Sequence, residues 1–302
     1  MYDVIMGRRV NRKKIILAVI LVYVVEIVGI IAGVKYANKV ITKKYVTELE
    51  SIVSKIENEE NQKKIQEERE RKEIIQSHIE KTSKPLSEEQ QNNILHIYRS
   101  DKKRVFLTFD DGPSESVTPL ILDELKKENI KATFFTLGTN VKRYPEIVKR
   151  EFYEGHYVAN HGYTHKYSDI YSCAQATLDE YNYTENAIKE ALENPNYRSN
   201  LFRFPGGSNG GYYNDLKQES KALLRENGVV HLDWNCLSKD AEGAHSTESL
   251  IQNVKETSEG KNSVVVLMHD SADKILSYEV LKDIISYFRD NGYEFCNIYD
   301  II

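Results

Sequence analysis

The sequence contains little cysteine and little proline, with 3 Cys and 6 Pro among 302 residues. So few cysteines exclude a small scaffold held together by disulfides, and so few prolines exclude a proline-rich linker protein. The chain also lacks an excess of positive charge, because 41 Lys and Arg stand against 46 Asp and Glu. A protein that binds a polyanion usually carries a basic surface, so nucleic acid is not an expected partner.

The N-terminal end of the sequence is first basic and then apolar. Residues 1–14 carry five Lys or Arg, and residues 15–34 are almost entirely apolar, with Glu26 as the single charge. A helix of this length spans about 30 Å, the thickness of a bilayer core. No signal-peptide cleavage site is evident near Val34. We therefore predict a cytoplasmic basic segment at 1–14 and a transmembrane anchor at 15–34, with the rest of the chain outside the cell.

Residues 35–100 are predicted to form an extracellular stalk or linker. From Tyr36 to Leu95 there is no Gly, Pro85 is the single Pro, and helix-forming Glu, Lys and Gln are frequent. Apolar residues recur every three or four positions between Ile41 and Ile56, so a short coiled coil through which the stalk self-associates is one alternative. A solvated helix or disordered spacer is the other, because the charged tract at 57–72 loses this stripe.

Residues 101–302 have the alternating pattern of an α/β domain. Short apolar runs alternate with amphipathic segments of helical length, which indicates parallel strands joined by helices. The predicted strands are 104–109, 132–137, 157–160, 201–204, 229–235, 264–268 and 294–298. The predicted helices are 116–129, 141–154, 174–192, 213–227, 247–259 and 277–291. This repetition predicts a small or irregular (β/α) barrel, with a doubly wound open sheet as the alternative, because periodicity alone does not decide closure.

Polar residues collect where the predicted strands end. In a parallel barrel the carboxyl ends of the strands meet at one face and carry the active site. We therefore expect a group of residues that are far apart in the sequence to converge there: Asp110, Asp111, His161, Arg203, Asp240 and His269.

Two short motifs among these residues have the composition of a metal site. The run TFDDG puts Asp110 and Asp111 at a strand end, although an Asp-Gly turn with two solvated carboxylates has the same sequence. In HGYTH, His161 and His165 have a spacing that brings two imidazoles to one side of a helical turn, although a packed or surface pair is also common. Asp111, His161 and His165 together would suit Zn²⁺ or another first-row divalent metal ion.

Five motifs in order resemble the polysaccharide deacetylase family, also called the NodB-homology domain or carbohydrate esterase family 4. The similarity covers residues 103–302. The motifs are FLTFDDGPSE at 106–115, KATFFTLG at 131–138, EGHYVANHGYTH at 154–165, FRFPGG at 202–207 and VVVLMHD at 264–270.

This resemblance implies a distorted (β/α) barrel that removes acetyl groups from N-acetylated sugars with a bound divalent metal. The metal is usually Zn, with Co, Ni or Mn as alternatives. Asp111, His161 and His165 correspond to the metal ligands, and Asp110 corresponds to the general base. Arg203 corresponds to the residue that orients Asp110 through a charge-assisted hydrogen bond.

The resemblance also implies an acid and a substrate-binding wall. His269 corresponds to the general acid, and Asp240 to the carboxylate that polarises it. Leu267 would line the groove for the acetyl methyl. Pro205 and Gly206 would also contact the substrate, with the backbone N–H of Gly206 donating to the tetrahedral oxyanion.

Three positions depart from the family pattern. Gly162 stands where the family usually has Ser or Thr to brace the metal-binding loop, so we expect Thr164 to compensate. Leu237 and Ala241 replace the first Asp and the Trp of the family's fourth motif, Asp-x-x-Asp-Trp. One wall of the groove is therefore expected to be more open, which would alter the choice of substrate more than the chemical step.

The sequence thus predicts a membrane-tethered extracellular deacetylase of cell-envelope glycan, acting on N-acetylglucosamine residues of peptidoglycan. A deacetylase of another acetylated polysaccharide, such as a chitin-like glycan, poly-N-acetylglucosamine or xylan, is one alternative. A non-catalytic glycan-binding protein on the same barrel is the other.

Overall fold

The N-terminal third of the chain is dominated by one long helix. A computed structural model describes residues 20–26, 35–243 and 246–302. The chain divides into two units, residues 1–72 and residues 73–302. Helix α1, Lys35–Thr82, begins in the first unit and ends in the second. Residues 35–82 of the predicted stalk are thus helical, which is compatible with both the coiled coil and the solvated helix.

The predicted membrane anchor at 15–34 is described only in part. Residues 20–26 are helical, whereas 1–19 and 27–34 lie outside the described residues. In the part of the chain that the structure describes, no helix combines the length and the apolar character needed to cross a bilayer.

The unit 73–302 is built on one parallel sheet whose strands occur in the order β5-β4-β3-β2-β1-β7-β6. The eighth strand, β8, pairs with the first two residues of β1. The strands are β1 Arg104–Asp110, β2 Thr133–Thr136, β3 Tyr157–Asn160, β4 Leu201–Phe202, β5 Val230–His231, β6 Cys236–Leu237, β7 Ser263–His269 and β8 Glu294–Phe295.

Helices connect most of these strands, as the alternating pattern predicts. One predicted helix, at 141–154, is in fact two, because Pro145 begins a new helix. The helices after α1 are α2 Glu88–Leu95, α3 Thr118–Lys127, α4 Gly138–Arg143, α5 Pro145–Tyr153, α6 Tyr167–Ile170, α7 Ala174–Leu192, α8 Asn214–Glu226, α9 Thr247–Ser258 and α10 Ile275–Asp290. A 3₁₀ turn follows at Ile298–Asp300.

The sheet is a curled half-barrel, a parallel α/β arrangement that agrees with the predicted distorted (β/α) barrel. Periodicity left closure undecided, and over the described residues the ring is open. In the described residues β5 and β6 are the ends of the strand path and do not pair with each other. The three strands on the two sides of the opening, β4, β5 and β6, have two residues each. The predicted strand at 229–235 is therefore too long.

Side chains alternate between the two faces of the central strands. Val105, Leu107 and Phe109 of β1 pack outward into a core shared with α3, α9 and α10. Phe106 packs inward into a second core with Val265. Because Asp110 follows Phe106 at an even interval, its side chain lies on the inner face of the half-barrel.

The compact unit begins earlier than the predicted domain boundary at 101. It starts at Glu73, and three residues of the predicted stalk belong to the inner core: Leu86, Ile94 and Ile97. Ser87 and Gln90 form a capping box that begins α2. The segment that we expected to be a tether is therefore part of the folded domain from Glu73 onward.

Candidate active site and metal centre

The parallel sheet brings the predicted residues of the five motifs to one edge. Asp110 ends β1 and His269 ends β7, and the two residues are register partners in these neighbouring strands. His161 and Arg203 each come directly after a strand, β3 and β4 respectively. Because all these strands are parallel, their carboxyl ends meet, and the side chains converge as the sequence predicts.

Asp111, His161 and His165 place three potential ligand atoms within 4.8 Å of one another. Oδ1 of Asp111 lies 3.5 Å from Nε2 of His161 and 3.3 Å from Nε2 of His165. Two ligands bound to one zinc ion at the tetrahedral angle are about 3.4 Å apart. The carboxylate oxygen is buried and has no hydrogen-bond partner among the described residues. The three side chains therefore fit a divalent ion.

The surroundings of His161 favour its role as a metal ligand. Its Nδ1 lies 2.7 Å from the carbonyl oxygen of Arg203, to which it donates a hydrogen bond, so the lone pair remains on Nε2. Burial lowers the pKa of His161 to about 3, although Asp111 acts in the opposite direction. The imidazole is therefore neutral at physiological pH, as coordination requires.

Asp110 is held beside this triad by a buried arginine. Nη1 of Arg203 donates to Oδ1 of Asp110 at 2.8 Å and to Oγ1 of Thr108 at 2.7 Å. The guanidinium is fully buried and lies 3.9 Å above the ring of Phe135. Burial raises the pKa of Asp110, while the charges of Arg203 and His269 oppose that shift. The carboxylate thus has a fixed orientation and a raised basicity, which suit a general base.

His269 and Asp240 form a second charge pair on the other side of Asp110. Nδ1 of His269 lies 2.8 Å from Oδ1 of Asp240, and its backbone N–H donates to Oδ2 at 2.7 Å. Burial would lower the pKa of His269, but the hydrogen bond and charge of Asp240 raise it to about 9. Burial likewise opposes ionisation of Asp240, yet His269 lowers the pKa of this carboxyl. The imidazole is therefore a protonated donor at neutral pH.

The residues predicted to contact substrate surround this centre. Leu267 is 8% exposed and lies two residues before His269 on the same face of β7. Gly206 has a φ of +73°, a left-handed conformation that glycine adopts without strain. Its neighbour Pro205 accepts a hydrogen bond from the hydroxyl of Tyr171 at 2.8 Å.

The structure shows the surroundings of each residue that departs from the family motifs. Gly162 has a φ of +84°, and a Cβ there would lie 3.2 Å from Cδ1 of Ile170. Thr164 does brace the loop, because its hydroxyl donates to Oε1 of Glu180 at 3.1 Å. Leu237 is the register partner of Leu267, and Ala241 is exposed beyond Asp240.

Glu180 is a site residue that the sequence analysis missed. Its Oε2 accepts hydrogen bonds from the backbone N–H of Tyr163 at 2.6 Å and of Thr164 at 2.8 Å. The carboxylate therefore holds the loop between the two histidine ligands. Nothing in the sequence around Glu180 distinguishes it from the other charged residues of α7, so no local signal could have revealed it.

Two further supporting residues were also missed. Ser277, in α10, donates to Oδ2 of Asp240 at 2.6 Å and so fixes the partner of His269. Asp270 accepts a hydrogen bond from Thr118 at 2.6 Å, and burial raises its pKa to about 7. A Cβ on Gly112 would lie 2.1 Å from Oδ2 of Asp270, so this carboxyl packs against the turn after Asp111.

The half-barrel carries one carboxylate and two imidazoles at its strand ends, which is the donor set of a metal-binding site. Comparisons with known proteins support the family expected from the five motifs. The sequence model of the polysaccharide deacetylase family matches residues 98–226. The chain belongs to the polysaccharide deacetylase family, whose relatives below are named as deacetylases of peptidoglycan.

The peptidoglycan-N-acetylglucosamine deacetylase PgdA of Listeria monocytogenes is 34% identical over 196 residues, which are 65% of this chain and 38% of that protein. The chain thus spans little more than a third of that relative's length. A peptidoglycan-N-acetylglucosamine deacetylase of Bacillus cereus is 33% identical over 65% of this chain and 69% of its own length. A solved CE4 esterase of Streptococcus mutans has a TM-score of 0.62 and 31% identity over 70% of this chain and 91% of its own.

Proposed function

We propose that the chain is a metal-dependent deacetylase that hydrolyses the N-acetyl group of N-acetylglucosamine residues in peptidoglycan and releases acetate. One observation carries this proposal. Asp110, the proposed base, and His269, the proposed acid, end neighbouring strands beside the three potential metal ligands. Arg203 orients the base, and Asp240 holds the acid. Amide hydrolysis needs both groups, because a proton must leave the attacking water and another must reach the leaving amine.

In this mechanism, Asp111, His161 and His165 would hold a divalent ion, which we propose to be zinc. When bound, such an ion polarises the acetyl carbonyl and lowers the pKa of water. Asp110 takes the proton of the attacking water, with its orientation kept by Arg203. The backbone N–H of Gly206 donates to the developing oxyanion.

Collapse of the tetrahedral species requires a proton on the amine nitrogen. His269 supplies that proton, because Asp240 keeps its imidazole protonated at neutral pH. The C–N bond then breaks, acetate leaves, and the sugar retains a free amine. Asp240 also fixes which ring nitrogen faces the substrate, since it accepts from Nδ1 and leaves Nε2 toward the cleft.

Peptidoglycan is the proposed substrate because curated relatives in this family are named for it. The test is acetate release by the full chain in detergent from peptidoglycan, chitin oligomers and acetylated xylan. We expect release from peptidoglycan, loss of release with a chelator, and recovery with added Zn²⁺. Tight glycan binding without acetate release from any of these substrates would instead favour a non-catalytic glycan-binding protein.

We also propose that the apolar residues 15–34 anchor the chain in the cell membrane, with the deacetylase domain outside the cell. The basic residues of 1–14 support this orientation. Protease treatment of intact cells should remove the domain and leave a membrane-bound N-terminal fragment. A domain protected until the cells are lysed would contradict the orientation. Analytical ultracentrifugation of the full chain tests whether the stalk also self-associates.

A further inference from the structure

Tyr167 stands directly over the backbone that carries the proposed oxyanion donor. A Cβ added to Gly206 would lie 2.4 Å from Oη of Tyr167. The phenol therefore occupies the space that a side chain at position 206 would take. At its other end, the Tyr167 ring lies 5.9 Å from the ring of His165, centroid to centroid. Tyr167 thus lies between His165, a proposed metal ligand, and Gly206.

The hydroxyl of Tyr167 is not used by the fold. It has no hydrogen-bond partner among the described residues, and the side chain is 41% exposed. Tyr171, one helical turn further along, behaves differently, because its hydroxyl donates to the carbonyl oxygen of Pro205 and fixes that loop. Tyr171, directly after the end of α6, therefore holds the turn at 205–206, and Tyr167, at the start of α6, presents a free O–H beside that turn.

We propose that Tyr167 is a further catalytic residue, whose O–H donates a hydrogen bond to the acetyl oxygen beside the N–H of Gly206. This inference rests on the proposed deacetylation. When the water oxygen bonds to the carbonyl carbon, the π electrons of the C=O bond move to its oxygen. Tyr167 stabilises that negative charge, and no bond to Tyr167 forms or breaks. A phenol is protonated at neutral pH, so it is available as a donor.

The test compares Tyr167→Phe with Tyr212→Phe in the full chain. Tyr212 is the matched control, because its ring contacts that of Tyr213, which also contacts the ring of Tyr167, but Tyr212 is 95% exposed. Loss of one oxyanion donor should lower kcat of Tyr167→Phe about tenfold or more, with KM and metal content unchanged. Tyr212→Phe should retain the wild-type kcat.

Three outcomes would overturn the assignment. An unchanged kcat would show that the hydroxyl is not used in the transition state. A raised KM with unchanged kcat would mean that Tyr167 only binds the sugar. Loss of bound metal from Tyr167→Phe would mean that the side chain merely supports His165.

A binding measurement separates this inference from the proposed function. Acetate, the product, offers an oxygen to the same donor, and a hydrogen bond to a charged group is worth enough to weaken its binding about tenfold when removed. We expect acetate to bind zinc-loaded Tyr167→Phe about that much more weakly than wild type. Equal affinities would refute the role of Tyr167, whereas a wild-type chain without turnover would refute the deacetylase.

Discussion

The segment 86–97, which packs into the inner core of the half-barrel, should be essential for stability. Ile94 is fully buried, and it belongs to the inner core with Leu86 and Ile97. The carbonyl oxygen of Ile97 also accepts a hydrogen bond from Nη2 of Arg104 at 2.9 Å. In Ile94→Ala, the lost burial and the cavity left behind should lower the free energy of unfolding by about 3 kcal/mol.

Urea unfolding followed by tryptophan fluorescence measures this change. The single tryptophan, Trp234, lines a cavity of about 350 Å³ together with Ile94, so its emission reports on the same region. The matched control is Ile74→Ala, because Ile74 is 53% exposed and its truncation should change stability by less than about 0.5 kcal/mol. Equal effects of the two variants would refute the assignment of α2 to the core.

Deletion of residues 1–100 extends the same reasoning. It removes Leu86, Ile94 and Ile97, each worth about 2 kcal/mol of apolar burial, from a domain whose total stability is on the order of 10 kcal/mol. We expect the fragment that begins at Asp101 to lack a cooperative unfolding transition, whereas the fragment that begins at Glu73 should retain one. Cooperative unfolding of the shorter fragment would contradict this view of the core.

The site allows three further predictions. Asp110→Asn should abolish acetate release with metal retained, while His161→Ala should lose the metal, as activity assays and elemental analysis would show. Asp240→Asn should lower the pKa of His269 from about 9 toward 6.5 in an NMR titration. Because folding raises that pKa, the wild-type pair contributes its full stabilisation from pH 6.5 down to the acidic range in which Asp240 becomes protonated, and it loses this contribution as the pH rises through about 9. Glu180→Gln should weaken metal affinity about 10- to 100-fold, because the neutral amide oxygen accepts the loop's backbone hydrogen bonds more weakly than the carboxylate does.

Controls distinguish these effects from general damage. Glu190→Gln, on the exposed side of the same helix as Glu180, should leave metal affinity unchanged. Metal-free Asp110→Asn or full metal content in His161→Ala would reverse the assigned roles. A pKa of His269 that stays near 9 in Asp240→Asn would mean that another carboxylate, such as Asp110, maintains its charge.

The motif residues were predictable because each follows a short apolar run and needs only local information. Asp110 and Asp111 come at the end of β1, and His161 comes directly after β3. Once the strands are taken as parallel, their carboxyl ends must share an edge. Glu180, Ser277 and Tyr167 were missed because they lie on helices, where the contact of a side chain depends on how the helix packs against a distant loop.

The boundary of the domain was predicted incorrectly for a related reason. Few apolar residues occur between Glu73 and Ser100, and they are embedded in a polar, charged composition. That pattern resembles the preceding stalk. Only the assembled inner face of the sheet gives Leu86 and Ile94 an apolar surface to cover, because its residues, such as Phe106 and Val265, lie far apart in the sequence.

The sequence by itself determined which chemical groups the domain carries and the local backbone that presents them, since turns, strand ends and glycine conformations depend on neighbouring residues. The tertiary structure alone decided which of these groups meet. Asp110, His161 and Arg203 are separated by tens of residues, and only the order of parallel pairing brings the last two within 4 Å of the Asp110 carboxylate. The same pairing makes His269 the register partner of Asp110. Whether the strands close into a full ring was likewise decided by long-range pairing, which depends on the available backbone partners rather than on periodicity.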